Sequence, residues 1–348
     1  MGFRNTFRIY GLGSWNRLVK TRKVKNRHLL LIQLSGLGDA CTLIPFAKQL
    51  QNDGYTLDIA VRSSFIPLWK EFTNFRYGFP IGGKVPNAPM NDSGTCRLND
   101  LAYEAVFSTS VNIWGAFLAS LPKTDMRAGM LENGHHYTGS HLYTHCYNAG
   151  VNEHVTSRFF HLFRLCLSRF QMPVFQETVP HSGEGILLHP GGKWKPRRWP
   201  ANRYWELACR LARQGWPVSV LVHASEPDLL KFFQNQPKQK NVRIVQSKTL
   251  EQLINRVRRC RLFVGNDSGP GHLAGLLGRP AVLLWGPGNL KRIRPQGDQY
   301  TLIVKPVDCR PCRQYVYPDR CERGQPECLL QIETEEVEKA VLNRLGNR

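Results

Sequence analysis

The chain has 348 residues, 42% of them hydrophobic, enough for two domains of about 150 residues each with real cores. Its formal net charge of +21 predicts attraction to polyanions: nucleic acid, anionic lipid head groups or phosphorylated substrates. No stretch approaches the roughly 18 uninterrupted apolar residues of a membrane-spanning helix, and ten cysteines with no secretory signal in view predict a reducing, cytosolic setting.

Residues 1–27 form a basic extension with eight Lys or Arg and no acid, interleaved with Phe3, Phe7, Ile9, Tyr10, Leu12, Trp15 and Leu18. Two readings fit it: a segment lying on a membrane surface, or a solvated tail. His28–Leu34 is a continuous apolar run, which suits a strand buried on both faces. It ends at Ser35-Gly36-Leu37-Gly38-Asp39, and Ala40–Gln51 then has helical apolar spacing. Gly54 stops that helix and Thr56–Val61 reads as a second strand, so the unit opens a doubly wound α/β domain. Ala105–Ser108 and Leu118–Leu121 read as further strand pieces. Residues 28–172 are expected to form this first domain.

A linker is expected at 173–185, inside the proline- and glycine-bearing stretch Gln171–Gly185. The second domain is expected at 186–330. It opens with strand Ile186–His189, the turn Pro190-Gly191-Gly192, and helix Ala201–Gln214, with Asn202 as cap and Gly215 as stop. Strand Val218–His223, helix Leu250–Arg258 and strand Leu262–Val264 follow. The chain then reaches Gly265-Asn266-Asp267-Ser268-Gly269-Pro270-Gly271-His272, a small-residue turn into a short helix. Such a helix start leaves backbone N–H groups for a phosphate. Residues 331–348 read as a closing helix, strongest over Thr334–Leu345.

Several turns carry candidate chemistry. Asp39 sits either as a carboxylate presented by a Gly turn or as a plain helix cap. A dinucleotide fingerprint needs a third glycine where Cys41 stands, although Asp58 lies about 20 residues on, so an NAD(P) oxidoreductase is one alternative. Four cations, Lys193, Lys195, Arg197 and Arg198, fall within six residues between a strand end and a helix start. They read as a diphosphate clamp or as a solvated basic loop; the neighbouring Trp194 and Trp199 favour the clamp. Glu226, at a strand end, suits ribose hydroxyls or a helix cap. Cys309, Cys312, Cys321 and Cys328 span 20 residues and fit a tetrahedral S4 site, reduced thiols or disulfides. His141 and His145 would share a helix face, but read as acceptor-side polar or surface residues. A basic nucleic-acid-binding protein is a third class of reading, yet no recognition motif is present.

Three of these segments in order, "LSGLGDA", "HPGG…RRWP" and "NDSGPGHLAGLLGRPAVLLWGP", make the chain resemble glycosyltransferase family 9, the ADP-heptose:lipopolysaccharide heptosyltransferases and their relatives. The resemblance covers roughly residues 28–290. It implies a GT-B fold, in which two Rossmann-like domains face a central cleft, acceptor bound by the first and nucleotide sugar by the second. It implies inverting transfer, with no cofactor or metal required for catalysis, to an anionic glycolipid or glycan acceptor, and no nucleic-acid partner. By it, Asp39 is the catalytic base. Gly192, Lys193, Arg197, Glu226, Asp267, Ser268, Gly269 and His272 bind the donor, which is expected to be ADP-heptose. Arg197 stands where the family usually has Lys, and Gly192-Lys193 where it often has hydroxyl residues. An iron-binding Cys motif is known among autotransporter heptosyltransferases, so the resemblance leaves a structural Zn or Fe as one reading of the four cysteines beside reduced thiols and disulfides. The implied location is the cytoplasm, at the cytoplasmic face of the inner membrane.

Overall fold

The computed structural model describes residues 27–82, 98–132, 139–175, 183–312 and 320–346. Apart from Arg27 the basic extension lies outside them, as do His135, His136 and part of the expected linker.

The first half of the chain builds a six-stranded, wholly parallel sheet. Its strands are β1 (His28–Gln33), β2 (Thr56–Arg62), β3 (Phe75–Ile81), β4 (Ala105–Ser108), β5 (Arg127–Glu132) and β6 (His145–Ala149). Helices α1 (Leu37–Asn52), α2 (Ile66–Phe72), α3 (Ile113–Ser120) and α4 (Val155–Arg164) connect and flank them. The spatial order is β3-β2-β1-β4-β5-β6, so the winding reverses between β1 and β4. Leu29, Leu30, Leu31 and Ile32 are fully buried, as a central strand covered on both faces requires.

The second half repeats the plan. Its strands are β7 (Ile186–His189), β8 (Val218–His223), β9 (Val242–Ser247), β10 (Leu262–Asn266), β11 (Ala281–Trp285) and β12 (Tyr300–Val304), in the order β12-β11-β10-β7-β8-β9. This time the reversal falls between β7 and β10. Helices α5 (Ala201–Arg213), α6 (Pro227–Gln234), α7 (Leu250–Arg259), α8 (Gly269–Leu276), α9 (Leu290–Ile293), α10 (Glu327–Leu330) and α11 (Thr334–Leu345) complete it. Helix α5 turns Tyr204, Leu207, Ala208 and Leu211 inward, and Gly215 ends it at a φ of +84° that a side chain would disfavour. The closing helix α11 buries Val337, Val341 and Leu345 in the core of this second sheet.

Two local expectations fail. Residues 118–121 end helix α3 instead of forming a strand; Asn112 caps that helix by accepting the Gly115 N–H at 2.9 Å. Asn202 does not cap α5, because the helix already starts after Pro200 and places Asn202 inside its first turn.

The two halves are welded. One buried apolar cluster runs from Leu29 and Leu31 through Ala40, Ile44 and Phe46 of α1 into Leu273, Ala274 and Leu283 of the second half. Helices α1 and α8 meet at the centre of this seam. Their first turns are in contact: a methyl at Gly269 would come within 2.8 Å of Leu37 Cβ, and one at Gly38 within 2.9 Å of His272 Cδ2.

Candidate active site

In an open parallel sheet, the loops beyond the carboxyl ends of the strands separate where the winding reverses, and ligands bind in that crevice. This chain has two such points, and the motif segments sit on them. Ser35–Asp39 leaves β1; Pro190–Trp199 leaves β7; Asp267–Ser268 leaves β10. Because α1 and α8 touch at their starts, both crevices open into one cleft.

On the first-domain side stands Asp39, in the first turn of α1. Its Oδ2 accepts the Gly36 N–H at 3.1 Å, which is the helix-capping bond, yet the residue keeps partial exposure to the cleft. A carboxylate has room for several acceptor bonds, so capping and proton abstraction are compatible. Burial raises the Asp39 carboxyl above the usual carboxylate range, against the lowering effects of the Gly36 N–H and of the Arg292 guanidinium. Arg292 comes from α9 of the opposite domain.

The second-domain side is heavily cross-linked. Arg197 lies between two groups: its guanidinium is 4.3 Å from the Trp194 ring centroid and its Nη1 is 3.2 Å from Asp267 Oδ2. Asp267 is 2% exposed. Burial raises its carboxyl and Arg197 opposes that rise. A methyl at Gly288 would strike Asp267 Oδ2 at 2.1 Å, so only glycine fits beside it. Ser268 is the N-cap residue of α8, but its side chain makes no capping bond and its buried Oγ has no hydrogen-bond partner among the described residues. A buried unsatisfied hydroxyl costs about 1–3 kcal/mol. At a helix N-terminus it is matched to an incoming acceptor such as a phosphate oxygen. His272, on the same turn, is held neutral at a pKa of about 4 by burial, with His154 and Arg197 pushing the same way.

Glu226 is bonded to the start and the end of the loop that carries Arg197. Its Oε1 accepts the Gly192 N–H at 2.8 Å and the Arg198 Nη2 at 3.0 Å. Gly191 presses so closely that an added methyl would lie 2.3 Å from Oε2. Arg198 also donates to the Gly192 carbonyl at 2.8 Å. Lys193 is exposed at the lip. Thus Glu226 is bonded to Gly192 and Arg198, Arg197 pairs with Asp267, and the first turn of α8, which carries Gly269 and His272, meets the turn that carries Asp39.

A polar rim ties the domains beside this cleft. Glu132 of β5 pairs with Arg292 and lies 3.6 Å from Arg158. Asn289 Nδ2 donates to Asn152 Oδ1 at 3.0 Å. His154 Nε2 is 2.9 Å from the Arg294 carbonyl; a carbonyl only accepts, so this nitrogen carries the proton. Single-sequence reasoning did not single out Glu132, Arg292 or His154 for this, since pairing across domains leaves no local pattern.

Two expectations are corrected here. Asp58 is not placed for a dinucleotide: it is the third residue of β2, far from the strand's carboxyl end. It is 1% exposed and bonded to Arg76 Nη2 at 2.7 Å, Tyr103 Oη at 2.7 Å and Tyr77 N at 2.9 Å. His141 and His145 do not share a helix face, because the first lies in a 3-10 turn and the second begins β6. The four cysteines Cys309, Cys312, Cys321 and Cys328 line one pocket of about 550 Å³ beside Trp194 and Arg197. Cys312 Sγ donates to the Cys309 carbonyl at 3.3 Å and Cys321 Sγ to the Gln325 carbonyl at 3.1 Å. Burial and the neighbouring thiols push Cys328 up to about 11. Among the described residues no group of three or more His, Cys, Asp or Glu forms a metal site.

The family model described as glycosyltransferase family 9 (heptosyltransferase) matches residues 95–321. The chain belongs to glycosyltransferase family 9. It is 25% identical over 185 residues to lipooligosaccharide heptosyltransferase 2 of Campylobacter jejuni, a match covering 51% of this chain and 56% of that relative. The aligned part thus spans little more than half of the relative's length. Among solved structures, the family 9 glycosyltransferase of Veillonella parvula superposes with a TM-score of 0.75 at 16% identity, covering 94% of this chain and 99% of that one. The Escherichia coli heptosyltransferase WaaC with ADP superposes with a TM-score of 0.72 at 18% identity, covering 91% and 99%. The shared fold is GT-B: two parallel α/β domains joined at a cleft.

Proposed function

We propose that this family 9 chain is an inverting glycosyltransferase that moves a heptose from ADP-heptose to a lipopolysaccharide core or a similar anionic glycan. The observation that carries the reading is the meeting of Asp39 with the α8 N-terminus across one cleft. A base on one wall and an anion site on the other is what displacement at an anomeric carbon needs. The relatives named above support the sugar and the acceptor class.

In this reading Asp39 removes the proton from the acceptor hydroxyl as that oxygen attacks the anomeric carbon. The bond from that carbon to the diphosphate breaks, and attack from the opposite face inverts the configuration. A carboxyl raised by burial is a stronger base than an ordinary aspartate, which suits the task. The electron pair departs with the diphosphate, where Arg197, the Ser268 hydroxyl and the α8 N-terminus meet the growing charge. Glu226 holds the ribose hydroxyls. Asp267, neutralised by Arg197, bonds sugar hydroxyls, since a bare carboxylate would repel phosphate. Gly192, Gly269 and His272 shape the pocket, and Lys193 adds positive potential at its mouth. The charge stabilisation is thus assigned to Arg197 and backbone, so the reading is of metal-independent catalysis. A structural ion at the four cysteines would take no part in it.

The surplus of cations supports an acidic glycolipid acceptor and work at the cytoplasmic face of the inner membrane. No helix among the described residues is long and apolar enough to cross a membrane. The test is a donor screen that scores nucleoside diphosphate release with a truncated phosphorylated lipid A–core acceptor. ADP-heptose should release ADP only when acceptor is present. Turnover of another nucleotide sugar in its place would overturn the donor assignment.

A further inference from the structure

The pocket wall that holds the donor hangs on one side chain that the reading above does not use. Asn266, the last residue of β10, is fully buried and makes four hydrogen bonds. Its Nδ2 donates to the Pro190 carbonyl at 2.9 Å and to the Gly191 carbonyl at 3.0 Å. Its Oδ1 accepts the Trp199 N–H at 2.9 Å and the Tyr204 hydroxyl at 3.0 Å. One amide therefore grips both ends of the loop between β7 and α5.

What it grips matters. The Gly191 carbonyl and the Gly192 N–H belong to one planar peptide and point in opposite directions. Fixing the carbonyl on Asn266 aims the N–H at Glu226, where it is found at 2.8 Å. At the other end, Trp199 follows Arg198, which bonds Glu226 at 3.0 Å, and Arg197, which pairs with Asp267 at 3.2 Å. Asp267 is itself the next residue after Asn266. The amide nitrogen also turns two carbonyl oxygens away from a pocket meant for an anion. Leu262, Phe263 and Val264 before it are fully buried apolar residues, and a polar side chain ending such a strand is retained only with every bond made.

We propose that Asn266 is the positioning residue of the donor site, setting Glu226 and Arg197 through the two ends of the β7–α5 loop, with its Nδ2 as the critical atom. The inference rests on the reading that this pocket takes a nucleoside diphosphate.

The test compares Asn266→Asp, Asn266→Ser and Tyr204→Phe with the unaltered chain, by calorimetric titration with ADP, steady-state kinetics and thermal melting. Asn266→Asp keeps the acceptor for Trp199 and Tyr204 but sets an oxygen against two carbonyls. It should weaken ADP binding and raise the donor KM by roughly tenfold or more, the scale of one lost buried hydrogen bond. The acceptor KM should not move. Asn266→Ser, which retains one donor in a smaller side chain, should fall between Asn266→Asp and the unaltered chain. Tyr204→Phe removes one bond to the same amide without touching the two carbonyls, so it should lower the melting temperature and leave ADP affinity in place. If Asn266→Asp does not fold, Asn266→Ser against Tyr204→Phe carries the comparison alone. Asn266 variants that melt lower yet bind ADP as the unaltered chain does would overturn the positioning role. Failure of the unaltered chain to bind ADP would instead overturn the donor reading on which it stands.

Discussion

The two winding reversals of this molecule are built alike and finished differently. At the first, between β1 and β4, the turn presents a carboxylate bonded by backbone N–H groups, that of Gly36 at 3.1 Å from Asp39. At the second, between β7 and β10, a web of ion pairs and hydrogen bonds links Glu226, Arg198, Arg197, Asp267 and Asn266. In the proposed function the difference follows from the chemistry given to each side. A diphosphate is bound best by donors fixed beforehand, since reorganising them during reaction costs rate. A base must stay reachable and titratable, so it is left with spare acceptor capacity and a carboxyl that burial has raised.

That contrast breaks most clearly at Asp39. Asn in its place keeps size and a capping oxygen but cannot take a proton, so kcat should fall about 10²–10⁴-fold, checked by single-turnover ADP release. Next in size, Arg197→Met removes the cation proposed to face the leaving group and leaves Asp267 without its ion-pair partner. A loss of roughly 10²–10³ in kcat is expected, together with weaker ADP binding, read by titration. Gly38→Ala tests the seam between the turns. Its methyl would meet the His272 ring at 2.9 Å, so the starts of α1 and α8 must separate, and a drop in kcat with a modest loss of melting temperature is expected. The smallest effect concerns pH. In the proposed function the Asp39 carboxylate is the working form, so activity should be lost as pH falls through its raised pKa. Arg292 holds that pKa down, and Arg292→Gln should therefore move the acid limb of the kcat/KM profile to higher pH. An unmoved limb would separate Arg292 from Asp39.

Much of this was legible from the sequence, for physical reasons that can be named. The apolar runs His28–Leu34 and Ile186–His189 are buried strands because parallel sheets are covered on both faces. The glycine turns after them are recognisable because tight turns at helix starts need small residues. Asp39 and Asp267 stood out beside those glycines, and the structure brings their turns to one cleft. What stayed hidden is pairing at long range. Glu132 with Arg292 and His154 with Arg294 join residues more than a hundred positions apart, and neither side carries a local pattern. Asn266 was in plain view within the motif, but its four bonds exist only once the β7–α5 loop folds back over β10. Cysteine spacing was legible as well: the four thiols gather at one pocket, where Cys312 and Cys321 donate to backbone carbonyls.

The central claim is a division of labour: the first turn acts on the acceptor and the second holds the donor. Titrating ADP onto Asp39→Asn while measuring its turnover tests both halves at once. The account predicts an ADP affinity equal to that of the unaltered chain with turnover reduced at least a hundredfold. Full turnover, or loss of ADP binding along with it, would contradict that division.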